Sequence, residues 1–417
     1  MKKKLLYIIP DYGYLTLRMI EPLVQQGYSI TVLAPFAFDF PLRFLMLFHS
    51  FSSEIRKIKR RYENWKKIDT TKITLKSVSS FRLFKQIISD IKNKKFVLVN
   101  TFKRLIEIDL LKVTNFEEYD YIWAFDTSAL LYYSGAKKAG KCCILESRGV
   151  HIDYALKVAK QINHLYNTNL EDIDNYVNNP SNIQWFGKIR DEVKFADFIV
   201  TYSTFHGQQF IEEGFSKEKI LQIPLGSAFQ KTASIPKVTD NVRFLFVGTL
   251  EYRKGFAGLV QAWELLLKEI DENKKVECIL VGNVFDSVKH IAENLPPKMI
   301  YKGYMFHNQL KEEFSKAHVF VFPTLNDSYA MVVQEALSFN LPVVTTVNCG
   351  AADFVENNKN GFVLQNPFDV VELKNAMLKF IQNPNLVEIM GEENSKRAAF
   401  SFISEKNIAL SELQKIS

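Results

Sequence analysis

The sequence predicts an α/β protein made of two consecutive doubly wound units, and three observations point there. Short, continuous apolar runs alternate with helical patterns, the mark of parallel strands covered on both faces. The alternation stops near residue 227 and restarts near residue 244. At 417 residues the chain is too long for one ordinary core and comfortable for two.

In the first unit, residues Lys4–Ile9 and Ser29–Ala34 read as strands, with a helix over Leu15–Gln26 between them. Tyr121–Phe125 and Cys142–Glu146 form the next pair around a helix over Ser128–Ala139, and Phe198–Tyr202 is a fifth strand. The stretch 227–241, SAFQKTASIPKVTDN, is polar, lacks periodicity and contains Pro236, which suits a linker. In the second unit Phe244–Val247, Glu277–Val281, Met299–Lys302, Val319–Phe322, Pro342–Thr345 and Phe362–Leu364 read as strands. Helices over Leu259–Lys268 and Met331–Phe339 fall between them. Two such units leave a cleft lined by the carboxyl ends of both sheets, where ligands of open α/β sheets bind.

Composition narrows the class. With 47% hydrophobic and 24% charged residues, wholesale disorder is excluded. The four cysteines form no C-x-x-C pair, so neither a zinc site nor a disulfide framework is indicated, and a reducing cytosol fits. The apolar run after MKKK is broken by Pro10 and Asp11, too early for a signal peptide, and no run approaches the roughly 20 apolar residues of a membrane span. The net charge of +7 is concentrated in residues 51–104, which hold 16 basic and 4 acidic residues. Neither RNP-like aromatics nor zinc-finger spacing accompany that charge, so nucleic acid is not the expected partner.

Two segments carry chemistry. In NDSYAMVVQEALSFNLPVVTT, residues 326–346, a strand ends, a turn follows over 324–328, and Tyr329–Phe339 reads as a helix. The first turn of such a helix offers free N–H groups and a positive dipole end, which suits a diphosphate. Asp327 and Glu335 stand about two helical turns apart and can face one elongated ligand; the plain alternative makes Asp327 a helix cap and Glu335 a solvated residue. In FLFVGTLEYRKG, residues 244–255, a strand ends at Gly248 and a loop presents Arg253 and Lys254, which can neutralise a pyrophosphate. Taken alone, this segment also reads as a solvated basic turn.

Taken in order, these segments resemble the family-4 retaining glycosyltransferases, which have the GT-B fold. The likeness runs through ADFIVTYSTFHGQQFIEEGFSKEKILQIPLGSAF, VGTLEYRKG, DSYAMVVQEALSFNLPVV, NCGAADFVENNKNGFVL and the terminal FSFISEKNIALSELQKI. It implies a first domain over 1–228 on the acceptor side, a nucleotide-sugar domain over 229–400, and a helix over 401–417 returning to the first domain. It implies that Glu335 binds the donor ribose, that Asp327 contacts the transferred sugar, and that Lys254, helped by Arg253, holds the diphosphate. Backbone near Gly248, Thr249, Ser328, Tyr329, Ala330 and Met331 would complete that cradle, with the base near Gly282 and residues 302–304. ESRGVHIDYA is similar to a family segment that brings His151 and Arg148 to the donor sugar, although a histidine after a strand is also commonly structural. The loop holding Gly13 would clasp the donor. No cofactor and no metal would be needed; the substrate would be a UDP- or GDP-sugar.

Three departures stand out: Asp327 replaces the usual Glu, Thr249 replaces a frequent Arg, and DYGY lacks paired glycines. The Asp327 and Thr249 departures support the alternative of an inactive homologue serving as a partner subunit. Residues 36–67 set an aromatic-rich run beside Arg56, Lys57, Lys59, Arg60, Arg61, Lys66 and Lys67. An anionic membrane surface presenting a lipid-linked acceptor, or a solvated basic helix over an ordinary core segment, both fit it. The expected setting is cytoplasmic, peripheral on the inner membrane face in the first case, in assembly of a bacterial surface polysaccharide or lipopolysaccharide. Among rivals, a nicotinamide-dependent oxidoreductase lacks its G-x-G-x-x-G turn, and a nucleotide-sugar epimerase lacks its acid/base run. The Asp172-x-Asp174 spacing of metal-dependent transferases sits in a polar, solvated stretch.

Overall fold

A computed structural model describes residues 2–9, 17–34, 69–77, 114–166, 179–227, 232–237, 241–396 and 402–416, with positions 63, 111, 168 and 229 between them. Two sheets organise the chain. The first has the order β3-β2-β1-β4-β5-β6-β7. Its strands are β1 (Lys4–Ile8), β2 (Ser29–Ala34), β3 (Ile73–Ser77), β4 (Tyr121–Phe125), β5 (Cys142–Glu146), β6 (Phe198–Thr201) and β7 (Ile220–Gln222). Helices α1 (Ile20–Gln25), α2 (Leu130–Lys138), α3 (Ile152–Tyr166), α4 (Pro180–Phe195) and α5 (Thr204–Glu212) accompany it. All its pairings are parallel.

Burial explains why these strands read as unbroken apolar runs. In β1, Leu5 and Tyr7 join one core cluster with Trp123 and Phe125, while Leu6 and Ile8 join another with Ala124 and Leu145. A strand buried on both faces has no reason to alternate. Strands β3 and β7 are not among the predicted elements. ITLKS of β3 is polar and largely accessible, and β7 has three residues, so neither gives an apolar run of useful length.

The second sheet has the order β10-β9-β8-β11-β12-β13. It comprises β8 (Val242–Val247), β9 (Val276–Val281), β10 (Met299–Tyr301), β11 (Val319–Phe322), β12 (Val343–Thr346) and β13 (Gly361–Leu364). Its helices are α6 (Phe256–Glu269), α7 (Lys289–Ala292), α8 (His307–Lys316), α9 (Met331–Ser338), α10 (Val370–Gln382) and α11 (Asn385–Lys396). One core cluster runs through it, centred on Phe244, Phe246, Trp263, Phe314 and Phe320.

Two connections cross between the units. Of the predicted linker, residues 232–237 are tied to the second unit: the Thr232 amide donates to the Ser338 carbonyl at 2.9 Å, and Asn340 Nδ2 donates to the carbonyls of Thr232 and Ser234. Helix α12 (Phe402–Leu413) lies on the first unit. There Ala409, Leu413 and Ile416 enter the core, Gln26 donates to the Leu410 carbonyl at 3.0 Å, and the Tyr121 hydroxyl donates to the Ile416 carbonyl at 2.9 Å.

Candidate active site

The loop between β11 and α9 is shaped by hydrogen bonds to the loop after β8. The Leu325 amide and the Thr324 hydroxyl both donate to the Arg253 carbonyl, at 2.8 and 3.1 Å. Asp327 then closes a turn on itself: its Oδ1 accepts the amides of Tyr329 at 3.1 Å and Ala330 at 2.8 Å, while its Oδ2 pairs with Lys254 Nζ. Ala330 is left-handed, with φ of 64°, so α9 begins at Met331, the start given by the strand–helix alternation, and Tyr329 falls in the turn before it. Burial opposes ionisation of Asp327, but the charge and hydrogen bond of Lys254 and the Tyr329 amide outweigh it and hold the carboxyl below its usual range.

This corrects the expected phosphate cradle. The amides of Tyr329 and Ala330 are taken by the Asp327 carboxylate, because an Asx-type cap satisfies the nearest orphan donors first. Met331 and Val332, the first residues of α9, keep their first-turn amides for a ligand. Asp327 is thus a cap and an ion-pair partner together.

The loop after β8 depends on close backbone approach. Gly282 has φ of 149°, and a Cβ there would lie 1.8 Å from the Gly248 carbonyl oxygen. Gly255, with φ of 75°, would place a Cβ 1.8 Å from the Pro323 carbonyl oxygen. Only glycine lets these loops stack so tightly that Lys254 reaches across to Asp327. Lys254 Nζ also lies 5.6 Å from the centre of the Phe322 ring. Arg253 is turned elsewhere, pairing with Glu251 at 2.7 Å and donating to the Asn326 carbonyl at 3.2 Å.

A cavity of about 370 Å³ opens between the two units. Of the predicted site residues, Gly248, Lys254, Asp327, Ser328, Tyr329, Ala330, Met331 and Glu335 line it from the second unit, and Arg148 lines it from the first. Arg148 is aimed by Asp126, which accepts its Nε at 3.0 Å and its amide at 2.8 Å. Glu335 has no hydrogen-bond or ion-pair partner among the described residues, and burial alone pushes its pKa up to about 7. An uncompensated carboxyl facing a cavity is a costly arrangement for structure and a useful one for a ligand rich in hydroxyls.

Other predicted residues fall outside the lining. Gly282 backs the peptide between Gly248 and Thr249, and Thr249 does not border the cavity. The Tyr301 hydroxyl donates to the Gly282 carbonyl at 2.9 Å, and Lys302 pairs with Glu313 at 2.7 Å. His151 is buried and does not reach the cavity: its Nδ1 accepts the Asp153 amide at 3.3 Å at the start of α3, its amide donates to Gln209, and its ring stands edge-on to Phe210. Desolvation lowers its pKa, keeping it neutral. A histidine that caps a helix and fills a core is the structural alternative named above. Gly13, Asp172, Asp174 and residues 36–62 and 64–67 lie outside the described residues.

Sequence reasoning missed Tyr202 and Phe322, which also line the cavity. Both sit at the carboxyl ends of strands, β6 and β11, and that position was the available signal. Tyr202 is held by Glu146: its hydroxyl donates to Oε1 at 3.2 Å, Arg18 donates to the same oxygen at 2.6 Å, and Trp123 donates to Oε2 at 3.0 Å.

Two facing parallel units, a ligand-sized cleft between them and a terminal helix crossing back define the GT-B architecture. Solved structures agree over nearly the whole chain. Anabaena HepE, crystallised with UDP, superposes with a TM-score of 0.61 at 14% identity, covering 99% of this chain and 100% of that one. WaaG, a glycosyltransferase involved in lipopolysaccharide biosynthesis, gives 0.58 at 16% identity, covering 98% of both. The second unit is more specific: residues 229–397 match the family described as glycosyl transferases group 1. A capsular polysaccharide biosynthesis glycosyltransferase from Staphylococcus aureus, CapM, is 25% identical over 178 residues, 40% of this chain and 44% of that protein. The chain spans about half the length, or less, of the curated relatives it matches first. The chain therefore has the GT-B fold, and its second unit is similar to the glycosyl transferases group 1 family.

Proposed function

We propose that this protein transfers a sugar, with retention of configuration, from a nucleoside-diphosphate sugar to a saccharide or lipid-linked acceptor in assembly of a bacterial surface polysaccharide or lipopolysaccharide. The observation that carries the reading is the convergence on one cavity of Lys254, the start of α9 and the unpaired Glu335, with Arg148 opposite. Glu335 accepts hydrogen bonds from the ribose hydroxyls. The Met331 and Val332 amides and Lys254 hold the diphosphate, and Lys254 stabilises the charge that develops on the leaving group. Lys254 is held by Asp327, so an incoming phosphate competes with that carboxylate for the ammonium. Asp327, at the head of the loop, contacts the transferred sugar. Cationic side chains and a helix start do here what a metal does in other transferases.

HepE was crystallised with UDP and with UDP-glucose, which makes UDP the first nucleotide to try. The deciding measurement is a thermal-shift screen against UDP, GDP, ADP, CMP and NAD, each with and without EDTA. Selective stabilisation by one nucleoside diphosphate, indifferent to EDTA, is expected. Stabilisation by NAD alone would overturn the reading.

A further inference from the structure

The same loop that builds the donor side also holds the two units together. Ser328 is bonded to the first unit through its hydroxyl and its carbonyl. Its hydroxyl donates to the Arg148 carbonyl at 2.9 Å, and its own carbonyl accepts the Ser203 hydroxyl at 2.8 Å. Next to it, the Tyr329 hydroxyl donates to the Leu225 carbonyl, just beyond β7. The fit is tight, since a Cβ on Gly350 would lie 2.1 Å from the Ser328 carbonyl oxygen and 2.5 Å from Ser203 Oγ. A second crossing runs in parallel. Asp353 of the second unit accepts the Thr204 amide at 2.7 Å, capping the start of α5 in the first unit, and approaches Gln222 Nε2 at 3.4 Å. A helix start capped by a carboxylate from another domain is an orientation-specific contact, because the orphan amides point along the helix axis.

We propose that Ser203 and Asp353 are positioning residues that fasten the first unit onto the donor loop, so that the nucleotide cavity takes its binding shape only while the units are closed. This rests on the proposed function and deepens it by naming what completes the site. The physical argument is one of shared parts. Ser328 and Tyr329, next to the Asp327 that fixes Lys254, are bonded to the first unit, and Arg148, Tyr202 and Leu225 of that unit line the cavity, so opening the units removes one of its walls. Affinity for the nucleotide is then reduced by the fraction of molecules that are closed.

The test uses the full chain with UDP as probe. Asp353→Ala and Ser203→Ala should each weaken UDP binding about five- to tenfold by calorimetry, and Asp353→Asn, which still offers an oxygen to the Thr204 amide, should recover most of it. A residue with only a structural role would lower the melting temperature without that rescue pattern. Without nucleotide, small-angle scattering should show a larger radius of gyration for Asp353→Ala than for the unaltered protein. Unchanged scattering, or equal UDP affinity in the variants and the unaltered protein, overturns the clasp and leaves the donor site standing. Failure of the unaltered protein to bind UDP counts against a UDP donor, and scattering still decides the clasp.

Discussion

Two ion pairs, one in each unit, show how differently the halves of this molecule use charge. Arg18 and Glu146 in the first unit have side chains 2% and 0% exposed, and Trp123 and Tyr202 also donate to the carboxylate. Lys254 and Asp327 in the second are 15% and 13% exposed and stand at the cavity wall. The first pair is sealed, so its charges have nowhere else to go, and desolvation raises the Glu146 pKa despite Arg18. The second can exchange partners with a ligand. Burial thus separates a pair that fixes architecture from a pair that can do chemistry.

The largest expected effect breaks the sealed pair. Glu146→Ala should cost about 3–5 kcal/mol in urea unfolding, because it strands a buried guanidinium. Replacing Arg18 and Glu146 together by apolar residues should cost clearly less than the single change. If the single variant is nearly neutral, the contrast between the pairs fails.

Lys254→Ala sharpens the other side. It should lower sugar transfer roughly tenfold or more while costing only about 1–2 kcal/mol of stability, since Asp327 keeps two amides. Unchanged kinetics would remove Lys254 from the site.

The smallest effect concerns Glu335 and pH. Its folded pKa of about 7 lies above the ordinary 4.5, so between those values the folded state holds a proton that the unfolded state has lost. Its contribution to stability is therefore present below pH 4.5 and is lost as pH rises toward 7, and Glu335→Gln should flatten that fall. Ribose hydroxyls favour the ionised form, so UDP affinity should drop by up to about tenfold from pH 8 to pH 6, beyond any drop seen in Glu335→Gln. Parallel profiles for the two proteins would place the titration elsewhere.

Legibility in the sequence also differed between the halves. The second unit offered strands such as FLFV and VFVF, glycines at fixed points and a helix bearing Glu335, all local features. In the first unit, β3 and β7 went unread, because their ITLKS and ILQ gain their place from neighbouring strands and not from their own pattern. His151 was legible as a candidate, yet its environment of Gln209, Phe210 and the α3 amides belongs to tertiary structure.

By itself the sequence determined the two doubly wound units, through apolar runs long enough to be buried on both faces, and the residue types needed for a phosphate-bearing ligand. Only the tertiary structure decided how those residues share their bonds. Asp327 takes the amides reserved for a phosphate, Arg253 turns to Glu251, and Ser328 reaches into the first unit. The physical reason is range. Periodicity records which side of a chain is buried, whereas hydrogen bonds and ion pairs are settled within about 3 Å between segments more than a hundred residues apart, as with Ser203 and Ser328.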